Sequence, residues 1–366
     1  MDQGDLDRLL TLLAQWDGSD LHIKAGAQPR MRLDGELRTL TDEERFGPDD
    51  TAQLVEAIMP PQVAEQFEKH HEADFAYSVA GVGRFRCNAF FQRSSVAIVL
   101  RRVRPNPGTA AELGLPAVVY ELASEQRGLI LVTGPTGSGK TTTLATMIDH
   151  INRTRPCHIV TIEDPIEYLH RDQMAAVDQR EIGFDTDSFG TAMRVVLRQD
   201  PDVILVGEMR DTETAYAALS AAETGHLVLT TLHTINATET IHRIVDFFPP
   251  HQQTQIRISL AGILKGTIAQ RLVKRADGTG RVPALEIMVA NGRIRQSIAD
   301  PELTSDIEEM IAEGEYYGMQ TFDQGLANLL QEGTITLQEA LQVASNPHDL
   351  RVMLERRGLV ATGNRW

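Results

Sequence analysis

The stretch that most restricts the fold is Gly128-Leu-Ile-Leu-Val-Thr-Gly-Pro-Thr-Gly-Ser-Gly-Lys-Thr-Thr-Thr143. Its apolar run, Leu129 to Val132, reads as a buried strand that breaks at Gly134, and helix-compatible sequence follows at Leu144-Ala-Thr-Met-Ile-Asp-His-Ile151. Gly134, Gly139, Lys140 and Thr141 match the G-x-x-x-x-G-K-[ST] spacing, and the strand–loop–helix context predicts a triphosphate-binding loop. Glycines let backbone N–H groups converge on phosphates, and the helix N-terminus adds its positive dipole end. The expected nucleotide contacts are therefore Gly134, Pro135, Thr136, Gly137, Ser138, Gly139, Lys140, Thr141 and Thr142. Lys140 is expected to reach the β- and γ-phosphates, and the Thr141 hydroxyl to sit on Mg²⁺.

On either side of that loop the hydrophobic pattern differs. Upstream, Leu6, Leu9, Leu10, Leu13 and Trp16 predict one amphipathic helix, and residues 49–69 a second. Strands are expected over 19–24, 30–33, 74–79, 83–92 and 96–103, with a hairpin turn at Asp34-Gly35. This mixture predicts a small α+β domain over residues 1–105, and Arg104-Pro-Asn-Pro-Gly108 opens a linker over 106–112. Downstream, the runs at 158–162, 203–206 and 226–230 are apolar throughout, as strands buried on both faces require. Helices are expected between them at 191–198 and 212–222, completing an α/β nucleotide-binding core over 113–290. A mostly helical segment is expected over 291–347, followed by a tail over 348–366.

Charge and composition then narrow the function. A net charge of −16 argues against gripping a nucleic-acid backbone, so no nucleic-acid partner is expected. The start Met1-Asp-Gln-Gly-Asp5 has no signal-peptide pattern, and no apolar run reaches the ~18 residues of a membrane span. Cys87 and Cys157 are far apart, which predicts two reduced thiols in a cytoplasmic protein.

Three further stretches carry chemistry. Ile162-Glu-Asp-Pro-Ile-Glu-Tyr168 follows a core strand, so Glu163, Asp164 and Glu167 fall at a carboxyl end, where open α/β sheets bind ligands. Carboxylates there can hold Mg²⁺ or orient an attacking water. In Val203-Ile-Leu-Val-Gly-Glu-Met-Arg-Asp211, Gly207 stands where an aspartate would ordinarily hold magnesium, leaving the polar work to Glu208. The division of labour among Glu163, Glu167 and Glu208 stays open. Gly225-His-Leu-Val-Leu-Thr-Thr-Leu-His-Thr234 places His226 and His233 at the two ends of another strand, both candidate γ-phosphate sensors. Arg84, Arg86, Arg93, Arg101 and Arg102 form a basic set in the first domain, and phosphoryl transfer gains from an arginine supplied in trans.

Together these motifs resemble the secretion ATPases of the type II/type IV pilus class, over roughly residues 5–345. Thr161-Ile-Glu-Asp-Pro-Ile-Glu167 is similar to that family's Asp box, Gly207-Glu-Met-Arg-Asp211 to its atypical Walker B and Thr224–Thr234 to its His box. Ser19-Asp-Leu-His-Ile23, Gly83-Arg-Phe-Arg-Cys-Asn-Ala-Phe90, Asp178-Gln-Arg-Glu181 and Gly318-Met-Gln-Thr-Phe-Asp323 resemble the retraction ATPases of twitching motility. The extension and type II secretion members usually carry a longer N-terminal region and a four-cysteine zinc element, and neither is seen here. Arg293-Ile-Arg-Gln-Ser-Ile-Ala-Asp300 departs from the retraction pattern, so the alternatives to a retraction motor are a pilus extension or type II secretion ATPase and an accessory, low-turnover ATP-binding ring component.

The resemblance implies an α/β, RecA-like P-loop core with an N-terminal α+β (PAS-like) domain and a helical C-terminal segment. It implies ATP and Mg²⁺ as cofactors, with Thr141, Glu163, Asp164 and Glu208 near the metal. Glu167 becomes the catalytic base, with Glu163 nearby and Glu208 as the Walker B acid. Lys140 and His233 join this catalytic set, while Arg84, Arg93 and Arg101 reach nucleotide phosphates from the N-terminal domain. It further implies a homohexamer, nucleotide between the domains, and an inner-membrane pilus platform protein as partner, so that membrane contact is indirect.

Overall fold

The computed structural model describes residues 3–105 and 107–360 and divides the chain into two compact units. The first comprises Met1–Asn106 with Glu167–Leu169, and the second Pro107–Ile166 with His170–Trp366.

The first unit is built on a six-stranded antiparallel sheet. Its strands are β1 (Asp20–Lys24), β2 (Arg30–Leu33), β3 (Glu36–Thr39), β4 (Glu72–Val79), β5 (Gly83–Gln92) and β6 (Ser95–Arg102), in the order β3-β2-β1-β6-β5-β4. Alternation decides which face is covered. Phe85, Cys87 and Ala89 of β5 are buried, while Arg84, Arg86 and Asn88 point the other way. The buried face packs on Leu6, Leu9, Leu10 and Leu13 of the helix Gln3–Gln15 and on Leu54, Val55 and Ile58 of the helix Pro48–Ile58. The single helix expected over 49–69 is in fact two, Pro48–Ile58 and Pro61–His70. Pro60 and Pro61 offer no N–H, and a proline biases the residue before it toward extended backbone, so Met59 turns out at ψ 128°.

The second unit holds a seven-stranded sheet. Its strands are β7 (Gly128–Thr133), β8 (His158–Glu163), β9 (Ala176–Glu181), β10 (Val203–Val206), β11 (Leu227–Leu232), β12 (Leu264–Lys274) and β13 (Arg281–Val289). Their order is β13-β12-β7-β11-β10-β8-β9, parallel except for the β12–β13 pair. Every residue of β7 is buried. Leu129 and Leu131 join one apolar cluster and Ile130 and Val132 another, so one strand serves both faces.

Beyond the sheet, helices Gly292–Ala299, Ile307–Ala312, Phe322–Gln331 and Leu337–Val343 follow. The tail expected from residue 348 instead opens with a helix, Pro347–Arg356, because Leu350 and Leu354 bury against Leu326, Ile335 and Ala340. Residues 361–366, and Asn106 of the expected linker, lie outside the described residues.

Candidate active site

Parallel strands deliver their carboxyl ends to one edge, and four of them carry the polar residues of the site. At the end of β7 the chain turns at Gly134 with φ 139°, where a Cβ would run into the Gln270 carbonyl oxygen and lie 2.7 Å from Ser138 Oγ. Only glycine fits. Lys140 begins the helix Lys140–Thr154, and its Nζ donates to the Gly134 carbonyl at 2.8 Å and the Pro135 carbonyl at 3.2 Å. The ammonium thus sits at the mouth of the loop, over the helix N-terminus that favours anions.

The loop is clamped from β12 by Gln270, which sequence reasoning missed. Its Nε2 donates to the Ser138 carbonyl at 2.6 Å and its Oε1 accepts from Thr143 Oγ1 at 2.9 Å. The side chain is buried, so these bonds are well shielded from water. A glutamine about 130 residues downstream in a strand carries no local signal of this role.

β8 ends on Glu163, whose Oε1 accepts from Thr161 Oγ1 at 2.6 Å and from Gln179 Nε2 at 3.0 Å. β10 ends beside it. The Gly207 N–H donates to the Ile162 carbonyl at 2.8 Å, and a Cβ at 207 would lie 3.2 Å from that oxygen and 3.4 Å from Glu163 Cα. An aspartate at this position would crowd the neighbouring strand, which explains the glycine there. Glu208 follows, with Oε1 at 2.9 Å from His233 Nε2 and Oε2 at 2.7 Å from an Arg210 guanidinium nitrogen. Burial pushes the Glu208 carboxyl up, but the Arg210 hydrogen bond and the charges of His233, Arg210 and Lys140 outweigh it and hold it below the usual range. Glu208 is therefore an ionised acceptor in the field of Lys140. Thr231 Oγ1 donates to the Gly207 carbonyl at 2.8 Å and fixes this turn to β11, so His233 arrives in register.

Three expectations change. His226 precedes β11, at the opposite end of the strand from His233, roughly 20 Å away along the backbone. Its Nδ1 lies 2.9 Å from the Ala221 carbonyl and 3.2 Å from Thr224 Oγ1, so it closes the C-terminus of the helix Thr212–Glu223 and is no phosphate sensor. Arg84 and Arg101 share one end of the β5–β6 hairpin, where Arg101 Nε pairs with Asp20 at 2.7 Å. Arg93 sits in the turn at the other end, eight residues or roughly 25 Å from Arg101, so the three arginines do not form one cluster. Within the Asp box, Glu163 is buried while Asp164 and Glu167 are exposed. Asp164 adds its charge to the field at Arg210, whereas Glu167 groups with the first unit, where the Leu169 N–H donates to the Arg104 carbonyl at 3.0 Å.

Glu286 was not anticipated either. It is buried in β13, and its Oε1 accepts the first N–H of the helix Ala237–Asp246 from Ala237 at 2.7 Å, anchoring the helix that follows His233. Burial pushes this carboxyl up to about 7, and the Glu308 charge adds to the rise. The acid is raised in the folded state, so its ionisation penalty is absent below the ordinary value of 4.5, grows as pH rises and is complete above about 7. Glu286→Gln keeps a carbonyl acceptor for Ala237 and cannot ionise. At pH 8 the variant should be more stable than the native protein by up to about 3 kcal/mol, and at pH 4.5 equal to it, in chemical unfolding at the two pH values.

Residues 19–342 match the family model described as type II/IV secretion system protein. The chain belongs to the type II/IV secretion system protein family. Relatives in this family include the type IV pilus ATPase PilU of Pseudomonas aeruginosa, 42% identical over 96% of this chain and 91% of that protein. The type IV pilus retraction ATPase PilT of the same organism is 43% identical over 94% of this chain and 99% of its own. A crystal structure of the pilus retraction motor PilT with bound ADP superposes with a TM-score of 0.86 at 47% identity, covering 95% of this chain and 99% of that one. In this chain the phosphate loop follows β7, Glu163 ends β8, and Glu208 and His233 follow β10 and β11.

Proposed function

We propose that this chain is the ATP-hydrolysing motor of a type IV pilus machine, working as a homohexamer to drive retraction of the fibre. The observation that carries the reading is the ionised Glu208, held between His233 and Arg210 in the field of the phosphate-loop Lys140. The near-full-length likeness to a retraction motor crystallised with ADP supports the same activity. In this reading the second unit is a RecA-like core and the first a PAS-like module.

Lys140 and the loop N–H groups bind and orient the β- and γ-phosphates, where charge builds during transfer. Glu208 and Glu163 are fixed hydrogen-bond acceptors that orient the attacking water, and Glu167 takes its proton. His233 donates a hydrogen bond toward the γ-phosphate. Arg84, Arg93 and Arg101 remain candidates for contacts to nucleotide from the first unit, Arg93 separately from the other two. The donor set suits Mg²⁺: the Thr141 hydroxyl and the carboxylates of Glu163, Asp164 and Glu208 are hard oxygens. Mg²⁺ usually takes one or two carboxylates and fills the rest of its shell with water and substrate phosphate. When bound, Mg²⁺ neutralises charge on the phosphate oxygens.

No helix among the described residues is long and apolar enough to cross a membrane. In this reading the motor acts from the cytoplasmic side on a membrane platform partner. The test is steady-state, Mg²⁺-dependent ATP hydrolysis by the purified protein alongside its mass, expected at six chains of 40.5 kDa. A monomer without turnover would overturn the reading. Deleting the protein from a piliated cell should leave more surface fibre if it retracts and less if it extends.

A further inference from the structure

We propose that Gln179 is a positioning residue that ties the start to the end of the loop carrying Asp164 and Glu167 and thereby sets the rate of the chemical step; this rests on the ATPase reading above. The Asp178-Gln-Arg-Glu181 motif otherwise has no role in that reading. Gln179 lies on β9, directly across from Thr161 of β8 in the parallel register. Its side-chain amide faces two ways. Oε1 accepts the His170 backbone N–H at 2.8 Å, and Nε2 donates to Glu163 Oε1 at 3.0 Å. The chemistry of the partners fixes the amide's orientation, since a backbone N–H requires the oxygen and a carboxylate requires the NH₂.

Residues 163 and 170 bracket the loop that carries Asp164 and Glu167, so one side chain ties its start to its end. Thr161 donates to the same Glu163 oxygen, which sets the plane of that carboxylate from two directions. Between these anchors Ile166 is buried and the Leu169 N–H is held by the Arg104 carbonyl, while Asp164 and Glu167 are exposed, so the Gln179 bonds fix the start and the end of a loop whose acids are not packed. A shift of ~1 Å in a group that orients the water lowers turnover by up to about 100-fold without weakening nucleotide binding, because the phosphates are held by a different loop. Gln179 therefore acts on kcat and leaves KM alone.

Two substitutions separate the halves of the amide. Gln179→Leu removes both bonds. Gln179→Glu keeps an oxygen for the His170 N–H and replaces the donor to Glu163 with a second negative charge. With purified full-length protein, four quantities are read: kcat and KM for ATP, ADP affinity, and hydrogen exchange of a peptide spanning residues 164–172. Gln179→Leu should lower kcat by about 10- to 100-fold, leave KM and ADP affinity within about twofold, and speed exchange of the His170 amide. Gln179→Glu should lower kcat comparably while that amide stays protected. Turnover in both variants equal to the wild type, or loss of ADP affinity in step with kcat, would overturn the inference and leave the ATPase reading standing. Wild-type protein without turnover would overturn both.

Discussion

Lys140→Ala is expected to bind ADP more weakly and to hydrolyse ATP at least about 100-fold more slowly than the native protein, with its folded structure retained. The magnitude is that of removing one preorganised donor from the place where charge develops, a loss of about 3–4 kcal/mol in the transition state. The native ammonium donates to the Gly134 and Pro135 carbonyls at the loop's mouth, so it is already directed at the phosphate position. It is half-buried on the first turn of a helix whose core packing comes from Leu144, Met147, Ile148 and Ile151. Steady-state kinetics, ADP titration and circular dichroism on the same preparation check all three parts. Native turnover in the variant would mean that another cation holds the phosphates.

The second large effect concerns Glu208 and His233, whose side chains meet at 2.9 Å. Glu208→Gln removes the negative charge that Arg210, His233 and Lys140 all stabilise. Hydrolysis should fall by about 100-fold or more with KM changed by less than about threefold, because the phosphate loop is intact. His233→Ala should fall by a similar factor, and the double variant should be no slower than the worse single one, since groups that act as a unit are strongly non-additive. A double-mutant cycle on kcat decides this. Additive losses would show that the two residues work independently, and the carboxylate–imidazole contact would then have no catalytic meaning.

Much of this site was legible in the chain because its parts are local. The phosphate loop needs a strand, glycines and a helix start within 16 residues, and three further strands end on acids or a histidine in plain view. What escaped is what depends on distant pairing. Gln270 and Gln179 look like ordinary strand glutamines until β12 is laid beside β7 and β9 beside β8. β9, β12 and β13 were not anticipated as separate strands: β9 reads as the polar Ala-Val-Asp-Gln-Arg-Glu, and β12 follows the helix Pro250–Ile263 without a break. The misplacement of His226 has a simpler cause. In a parallel sheet only one end of each strand meets the ligand edge, and a histidine before the strand is on the wrong one. The arginines misled for a related reason, since a shared hairpin brings residues near in sequence but spreads them along its length.

The place of β7 in its sheet bears on how the protein is made. Its hydrogen-bonded neighbours are β11 and β12, whose first residues lie about 100 and 135 positions further along the chain. A ribosome adding about 5–20 residues per second would leave β7, apolar on both faces, without either partner for several seconds or longer. During that interval the nascent chain presents two unpaired apolar edges, the condition under which strands associate wrongly. The phosphate loop gains its Gln270 clamp only after the second neighbour is synthesised. The most conspicuous motif in the sequence is thus completed only after β12, more than 100 residues further on, has been synthesised.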